Sequence, residues 1–185
     1  MPRFSNFRTG LLGVLVGCVT ACGNSNSSEL VLSRTRGLGR HLQLGERVPD
    51  AAENEIVGAV HLRVRRGDSS WLRLESCQAK GIQFKNEERT GADRMMIPRL
   101  CESLARLETA VEREWPGVSL RITEAWDENG EHGRSSLHYE GRAADLTTSD
   151  SDPARLGRLA RLAVDCGLDW VYFENRNHVH VSVRR

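Results

Sequence analysis

The chain has 185 residues, 39% of them hydrophobic, and sets 26 basic side chains against 25 acidic ones for a formal charge of +1. That length gives one compact domain with one core. The balanced charge excludes a general binder of nucleic acid or membrane surface, so partners must be read from particular sites.

Basic residues open the chain, through Arg8, and an apolar run from Leu11 to Val19 follows that is too short to cross a bilayer. This pattern predicts a removable signal peptide over residues 1–21. The run ends in Val19-Thr20-Ala21-Cys22-Gly23, small residues ahead of a cysteine. It resembles the lipobox of bacterial lipoproteins, where cleavage leaves the cysteine first and acylated. Lipid on Cys22 would then attach the chain to a membrane, as an extracytoplasmic lipoprotein or a secreted protein. Residues 22–45 are polar, with Asn24-Ser25-Asn26-Ser27-Ser28, and predict a flexible linker ahead of a packed domain over 46–185. Cys77, Cys101 and Cys166 are widely spaced with no CxxC, which argues against zinc ligation by cysteine. Cys101 and Cys166 lie in helical patterns and read as small buried apolar groups, with a disulfide left open for an oxidising compartment.

Leu100, Leu104, Leu107 and Val111 place an apolar stripe on one helix face, which Trp115-Pro116-Gly117 terminates. A second helix opens at Ser151-Asp152-Pro153, runs through Leu156, Leu159, Ala160 and Ala163, and stops at Gly167. Strand patterns cover Val118 to Trp126, Ala143 to Thr148, Trp170 to Glu174 and His178 to Val183. In the last, a strand puts His178 and His180 on one face and the valines on the other. The expected fold is an α/β (α+β) sandwich of two helices packed on one mixed sheet.

The segment Ser136 to Asp145, SLHYEGRAAD, carries the chemistry. His138 and Asp145, joined through a glycine turn, can converge on one cation as the chain enters a strand. His180 supplies a third ligand, and three protein ligands leave the fourth tetrahedral position of zinc to water. Glu174 is placed to act as general base on that water, whose pKa zinc lowers to roughly 7. His178 and His132 would steady an oxyanion or orient the ligands. The segment resembles the SxHxxGxAxD pattern of D-alanyl-D-alanine peptidases and lysostaphin-like zinc enzymes. Two acidic clusters, Glu87, Glu88 and Asp93 around Thr90-Gly91-Ala92, and Glu124, Asp127, Glu128 and Asn129 before Gly130, read on composition as solvated turn residues.

A wider likeness changes that reading. Thr90 to Arg94, Trp115 to Val118, Ser136 to Asp145, Thr147 to Asp150, Leu159 to Val164 and Asp169 to Tyr172 together resemble the hedgehog amino-terminal signalling domain, over about Val48 to Val183. The resemblance implies the hedgehog and D-Ala-D-Ala peptidase fold, zinc on His138, Asp145 and His180, and Glu174, His132 and His178 beside it. It also implies paired calcium ions at Glu87, Glu88, Asp93, Glu124 and Asp127, with Asn129 replacing the family's usual aspartate. Hedgehog ligands begin with an acylated Cys-Gly, as Cys22-Gly23 would here, and carry a dense basic heparin-binding stretch. Here that stretch is thinned to Arg34, Arg36, Arg40 and His41, so only weak glycan binding is expected. Val60 to Ile82 match poorly, and no self-splicing domain or cholesterol follows Arg185. Two functions are carried forward. The first expectation is a calcium-modulated zinc metallopeptidase acting on cell-wall or matrix peptides such as peptidoglycan stems, and the second is a secreted ligand for a cell-surface receptor of the Patched type.

Overall fold

The structure is a computed structural model that describes residues 39–185. The signal peptide, Cys22, Arg34, Arg36 and most of the proposed linker therefore lie outside the described residues.

The elements, in chain order, are β1 (Arg47–Val48), α1 (Glu53–Val57), β2 (Glu75–Ser76), β3 (Gln83–Phe84), β4 (Met95–Met96), α2 (Pro98–Glu114) and β5 (Leu120–Glu124). After these come β6 (Ala143–Thr148), α3 (Leu156–Asp165), β7 (Trp170–Tyr172) and β8 (Val179–Ser182). The main sheet has the order β1-β7-β8-β6-β5-β3, and β2 pairs with β4 in a separate two-stranded sheet. Every pairing in the main sheet is antiparallel except β3 with β5, so the sheet is mixed as expected.

The apolar periodicities explain how the layers meet. Leu100, Leu104, Leu107 and Val111 of α2 are completely buried, as are Leu156, Leu159, Ala160 and Ala163 of α3. They share one core with Leu120, Ile122, Ala144, Leu146, Val179 and Val181 from the central strands. Because side chains alternate along a strand, the residues between these, Asp145 and His180, must face the opposite side. One sheet face therefore builds the core and the other presents the chemistry.

The ends of α2 and α3 follow local chemistry. Pro98 stands in the first turn of α2, where a missing N–H costs nothing. Asp152 accepts from the Ala154 amide at 2.9 Å and starts a short 3₁₀ turn, Pro153–Arg155, that leads into α3. Both helices were legible in the sequence, but several strands are shorter than their patterns. β5 covers five residues, and β7 ends at Tyr172, which leaves Glu174 in the connection to β8. His178 likewise precedes β8 instead of lying on it.

Two further expectations are corrected. Cys101 is not a free apolar group, because it forms a disulfide with Cys77 across a sequence separation of 24 residues. Its sulfur sits at the start of α2, where the β2–β4 pairing brings Cys77 alongside. Packing also reaches into the stretch read as linker: Leu42 is buried in the main core, and its amide donates to the Gly157 carbonyl at 3.0 Å.

Glu108 marks a buried charge in this core. Its Oε2 accepts from the Leu120 amide at 2.5 Å, and burial raises its pKa, with the Leu120 bond opposing and Glu112 assisting. A carboxyl with a raised folded pKa opposes folding once ionised, so stability is lost as pH rises above its ordinary value of 4.5. Glu108→Gln keeps an acceptor for Leu120 and is expected to flatten that decline, as read by urea unfolding at a series of pH values.

Candidate metal centre

The register of the sheet assembles the site. Asp145 on β6 stands opposite His180 on β8, and His180 stands opposite Tyr172 on β7. On the other side of β6 the pairing with β5 shifts between Ile122 and Glu124, so that Glu124 is the residue paired with Asp145. This irregularity turns Glu124 toward the chemical face, where simple alternation would have sent it with Ile122 toward the core.

His138 arrives from the loop before β6. Ser136 accepts from the His138 amide at 3.3 Å and opens a 3₁₀ turn, Leu137–Glu140, which Gly141 closes at φ 62°. A side chain on Gly141 would also lie 2.5 Å from Leu74 and 3.1 Å from the Met96 Cα, so both conformation and space require glycine. The SxHxxG part of the motif is thus a capped turn that delivers a histidine.

Three donor atoms converge. His180 Nδ1 lies 3.0 Å from Asp145 Oδ1, His138 Nε2 lies 3.5 Å from the same oxygen, and the two nitrogens are 3.4 Å apart. A four-coordinate cation bound at about 2.0–2.1 Å spaces its ligands about 3.3 Å apart, so this triangle fits such an ion. The remaining ring nitrogens are also held. His138 Nδ1 donates to the Ala125 carbonyl at 2.6 Å, which leaves the Nε2 lone pair facing inward. His180 Nε2 meets Glu53 Oε1 at 2.8 Å, which leaves Nδ1 facing inward.

The other candidates line the same cleft, with His132, Asp145, Glu174, His178 and His180 on its wall. His132 stacks on His138 with ring centroids 4.0 Å apart, and its Nδ1 donates to Asp127 Oδ2 at 2.9 Å. Glu174 Oε2 lies 2.8 Å from His178 Nε2, which is 3.6 Å from Asp145 Oδ2. One potential ligand atom from each of His132, His138 and Asp145 lies within 4.8 Å of the others, and the same holds for Asp145, Glu174 and His178.

The electrostatics describe a cluster that wants positive charge. Burial alone would raise the Asp145 pKa, but the imidazoles of His132, His138 and His180 around it hold it well below the usual carboxylate range. Burial lowers His138 and keeps it neutral. His180 is pushed up to about 10, because hydrogen bonds to Asp145 and Glu53 outweigh its burial. His132 is raised to about 9, chiefly by Asp145 and also by Asp127. A bound cation would take over the role of those protons.

The acidic residues meet less evenly. Asp93 is buried and accepts from the Asn86 amide at 2.7 Å and the Ala125 amide at 3.2 Å. Glu124 is pushed up to about 7 by burial, and next by repulsion from Asp93, with Glu88 and Asp127 adding to it. Glu88 Oε2 is shielded from solvent without a hydrogen-bond partner among the described residues. Glu87 instead pairs with Lys85 at 2.7 Å, and Asn129 is exposed with its amide on Glu131 at 3.1 Å. Asp127 accepts from Gly130 and His132 amides at 2.6 and 2.8 Å, which shapes the loop that carries His132.

Sequence reasoning missed Glu53. No spacing rule links it to His180 across 127 positions. Its helical turn also lacked an apolar stripe long enough to register.

The sequence is similar to known proteins over most of its length. The family model of the hedgehog amino-terminal signalling domain matches residues 22–182. Among relatives, Sonic hedgehog protein of Danio rerio is 42% identical over 167 residues, covering 85% of this chain and 40% of that protein. Sonic hedgehog protein of Xenopus laevis is 46% identical over 139 residues, 74% of this chain and 31% of the relative. Protein hedgehog of Drosophila simulans is 44% identical over 158 residues, 80% of this chain and 40% of the relative. The chain thus spans less than half the length of the curated relatives it matches. On this match, the chain belongs to the hedgehog amino-terminal signalling domain family.

Proposed function

We propose that the chain is a secreted signalling ligand that docks on a cell-surface protein of the Patched type through its metal-bearing face. The observation that carries this reading is the family match over 22–182, together with similarity to Sonic, Indian and Drosophila hedgehog proteins. The sequence alone had ranked a metallopeptidase first; the relatives reverse that order and give peptidase activity no support. Among the described residues no helix is long and apolar enough to cross a membrane. We assign membrane attachment to a lipid on Cys22, the residue at which the family match begins. Glycan binding weakens further, since the Arg40 guanidinium is tied to Glu46 at 2.5 and 3.0 Å.

Zinc is the cation we assign to His138, Asp145 and His180, since two imidazoles and one carboxylate in a 3.0–3.5 Å triangle suit its tetrahedral preference. Bound there, zinc would supply positive charge and an open coordination position to a partner's carboxylate or carbonyl. His132 and His178 border that position and can donate hydrogen bonds to the same group, while Asp127 orients the His132 ring. Calcium is assigned to Glu88, Asp93 and Glu124, whose crowded carboxylates and unpartnered Glu88 oxygen suit a hard cation, with Glu87, Asp127 and Asn129 at its edge. Calcium in excess is expected to raise the thermal midpoint of the chain, and Glu124→Ala is expected to lose most of that rise in a calorimetric scan.

A second reading, zinc-dependent peptide hydrolysis, is favoured by one observation. The Glu174 carboxylate sits on the cleft wall, in contact with His178 and close to Asp145. One preparation tests both. Binding to a Patched-type ectodomain that survives Glu174→Ala supports the ligand reading. Cleavage of peptidoglycan stem peptides that vanishes in Glu174→Ala, without receptor binding, supports the peptidase.

A further inference from the structure

We propose that Glu53 is a positioning residue of the metal centre, which orients His180 so that Nδ1 rather than Nε2 meets the cation. The inference rests on the reading of His138, Asp145 and His180 as zinc ligands. An ionised carboxylate only accepts hydrogen bonds, so at 2.8 Å from Glu53 Oε1 the His180 Nε2 carries the proton. With that proton fixed on Nε2, Nδ1 is the nitrogen that can give up its hydrogen bond to Asp145 Oδ1, at 3.0 Å, and turn a lone pair to a cation, and it lies 3.4 Å from His138 Nε2. The ring is held from both ends, and its choice of donor atom is made by a residue that comes before most of the domain.

The frame around α1 supports this role. Trp170 Nε1 donates to the Ala51 carbonyl at 2.9 Å just ahead of the helix, and Arg184 Nε donates to the Ile56 carbonyl at 2.9 Å. Arg142 donates to the carbonyls of Val57 and Gly58 at its end. Val57 packs on Leu137, Ala143 and Trp170, and the Trp170 ring lies 5.8 Å from the His180 ring. Each of these anchors comes from a segment adjoining the metal ligands, so the Glu53 carboxylate is carried by the same rigid unit as the ring it meets.

The two histidines of the triangle are fixed by acceptors of different kinds. His138 leans on the neutral Ala125 carbonyl, whereas His180 leans on an ionised side chain. A carboxylate partner gives the ring more basicity and so makes it the stronger donor. A merely structural Glu53, serving as a first-turn acidic residue of α1, would be matched by its neighbour Glu55, which is exposed in the same turn.

The test uses the full zinc-loaded chain, with affinity from chelator competition and ring protons followed by nitrogen-resolved NMR. Glu53→Ala is expected to weaken zinc by about 10- to 100-fold, Glu53→Gln by less, and Glu55→Gln not at all. The Nε2 proton of His180 is expected to be protected from exchange in the wild type and to lose protection in Glu53→Ala, while the Nδ1 proton of His138 keeps it. Zinc affinity within about twofold of wild type in Glu53→Ala, with the His180 proton still protected, overturns the inference. Retention of zinc by His138→Ala would overturn the ligand assignment itself and this inference with it.

Discussion

Asp145→Ala is expected to abolish zinc binding and to be the most damaging single change in the cleft. The Asp145 carboxylate is surrounded by four imidazoles. Its Oδ1 lies 3.0 Å from His180 and 3.5 Å from His138, and its Oδ2 lies 3.6 Å from His178 and 3.9 Å from His132. Removal deletes one ligand and also the counter-charge that draws the rings together. The loss of affinity should therefore exceed the roughly 100-fold that an outer hydrogen-bond partner can cost. The metal-free chain should lose stability as well. A carboxyl whose folded pKa is depressed stabilises the fold above its unfolded value of 3.8, and that contribution is absent from the variant at neutral pH. Elemental analysis and urea unfolding separate the two effects: wild type should retain zinc through gel filtration, and Asp145→Ala should not.

Arg142→Met is expected to cost stability of about 3–5 kcal/mol, the range found when one partner of a buried ion pair is removed. Arg142 is 1% exposed and holds three parts of the chain at once. Its Nη1 meets Glu140 Oε2 at 2.7 Å, Nε donates to the Val183 carbonyl at 3.1 Å, and the guanidinium also reaches the carbonyls of Val57 and Gly58. Methionine fills the volume but leaves the Glu140 carboxylate with weaker compensation from Arg185 at 3.0 Å and the amides of His61 and Leu62 at 2.8 and 2.9 Å. Adding Glu140→Gln should recover part of the loss, because the uncompensated charge goes with it. Urea midpoints of the single and double variants read this coupling directly.

The contrast between Arg142 and its neighbours shows what the sequence could disclose. The pattern from Ser136 to Asp145 announced a glycine turn and two side chains able to converge on one cation, because both depend on local spacing. His180 was legible from strand alternation, which separates its face from that of Val179 and Val181. The apolar stripes of α2 and α3 were equally plain. Arg142 and Glu53 were not legible, since their partners lie 85 and 127 positions away and nothing local marks a residue as the partner of a distant carbonyl or ring. The Cys77–Cys101 disulfide was hidden for the same reason, as three cysteines at wide intervals do not reveal which two meet. The acidic residues were overgrouped. Register turned Glu124 inward through an irregularity in β5 that no pattern signals, while Glu87 and Asn129 stayed at the surface with other partners.

The most direct test of the account is anomalous diffraction from a crystal of the zinc-loaded full chain, with data on either side of the zinc absorption edge. The account predicts a single strong zinc peak inside the triangle of His138 Nε2, Asp145 Oδ1 and His180 Nδ1, with Glu53 still on His180 Nε2. A triangle without a peak, or a zinc ion held elsewhere, would contradict it.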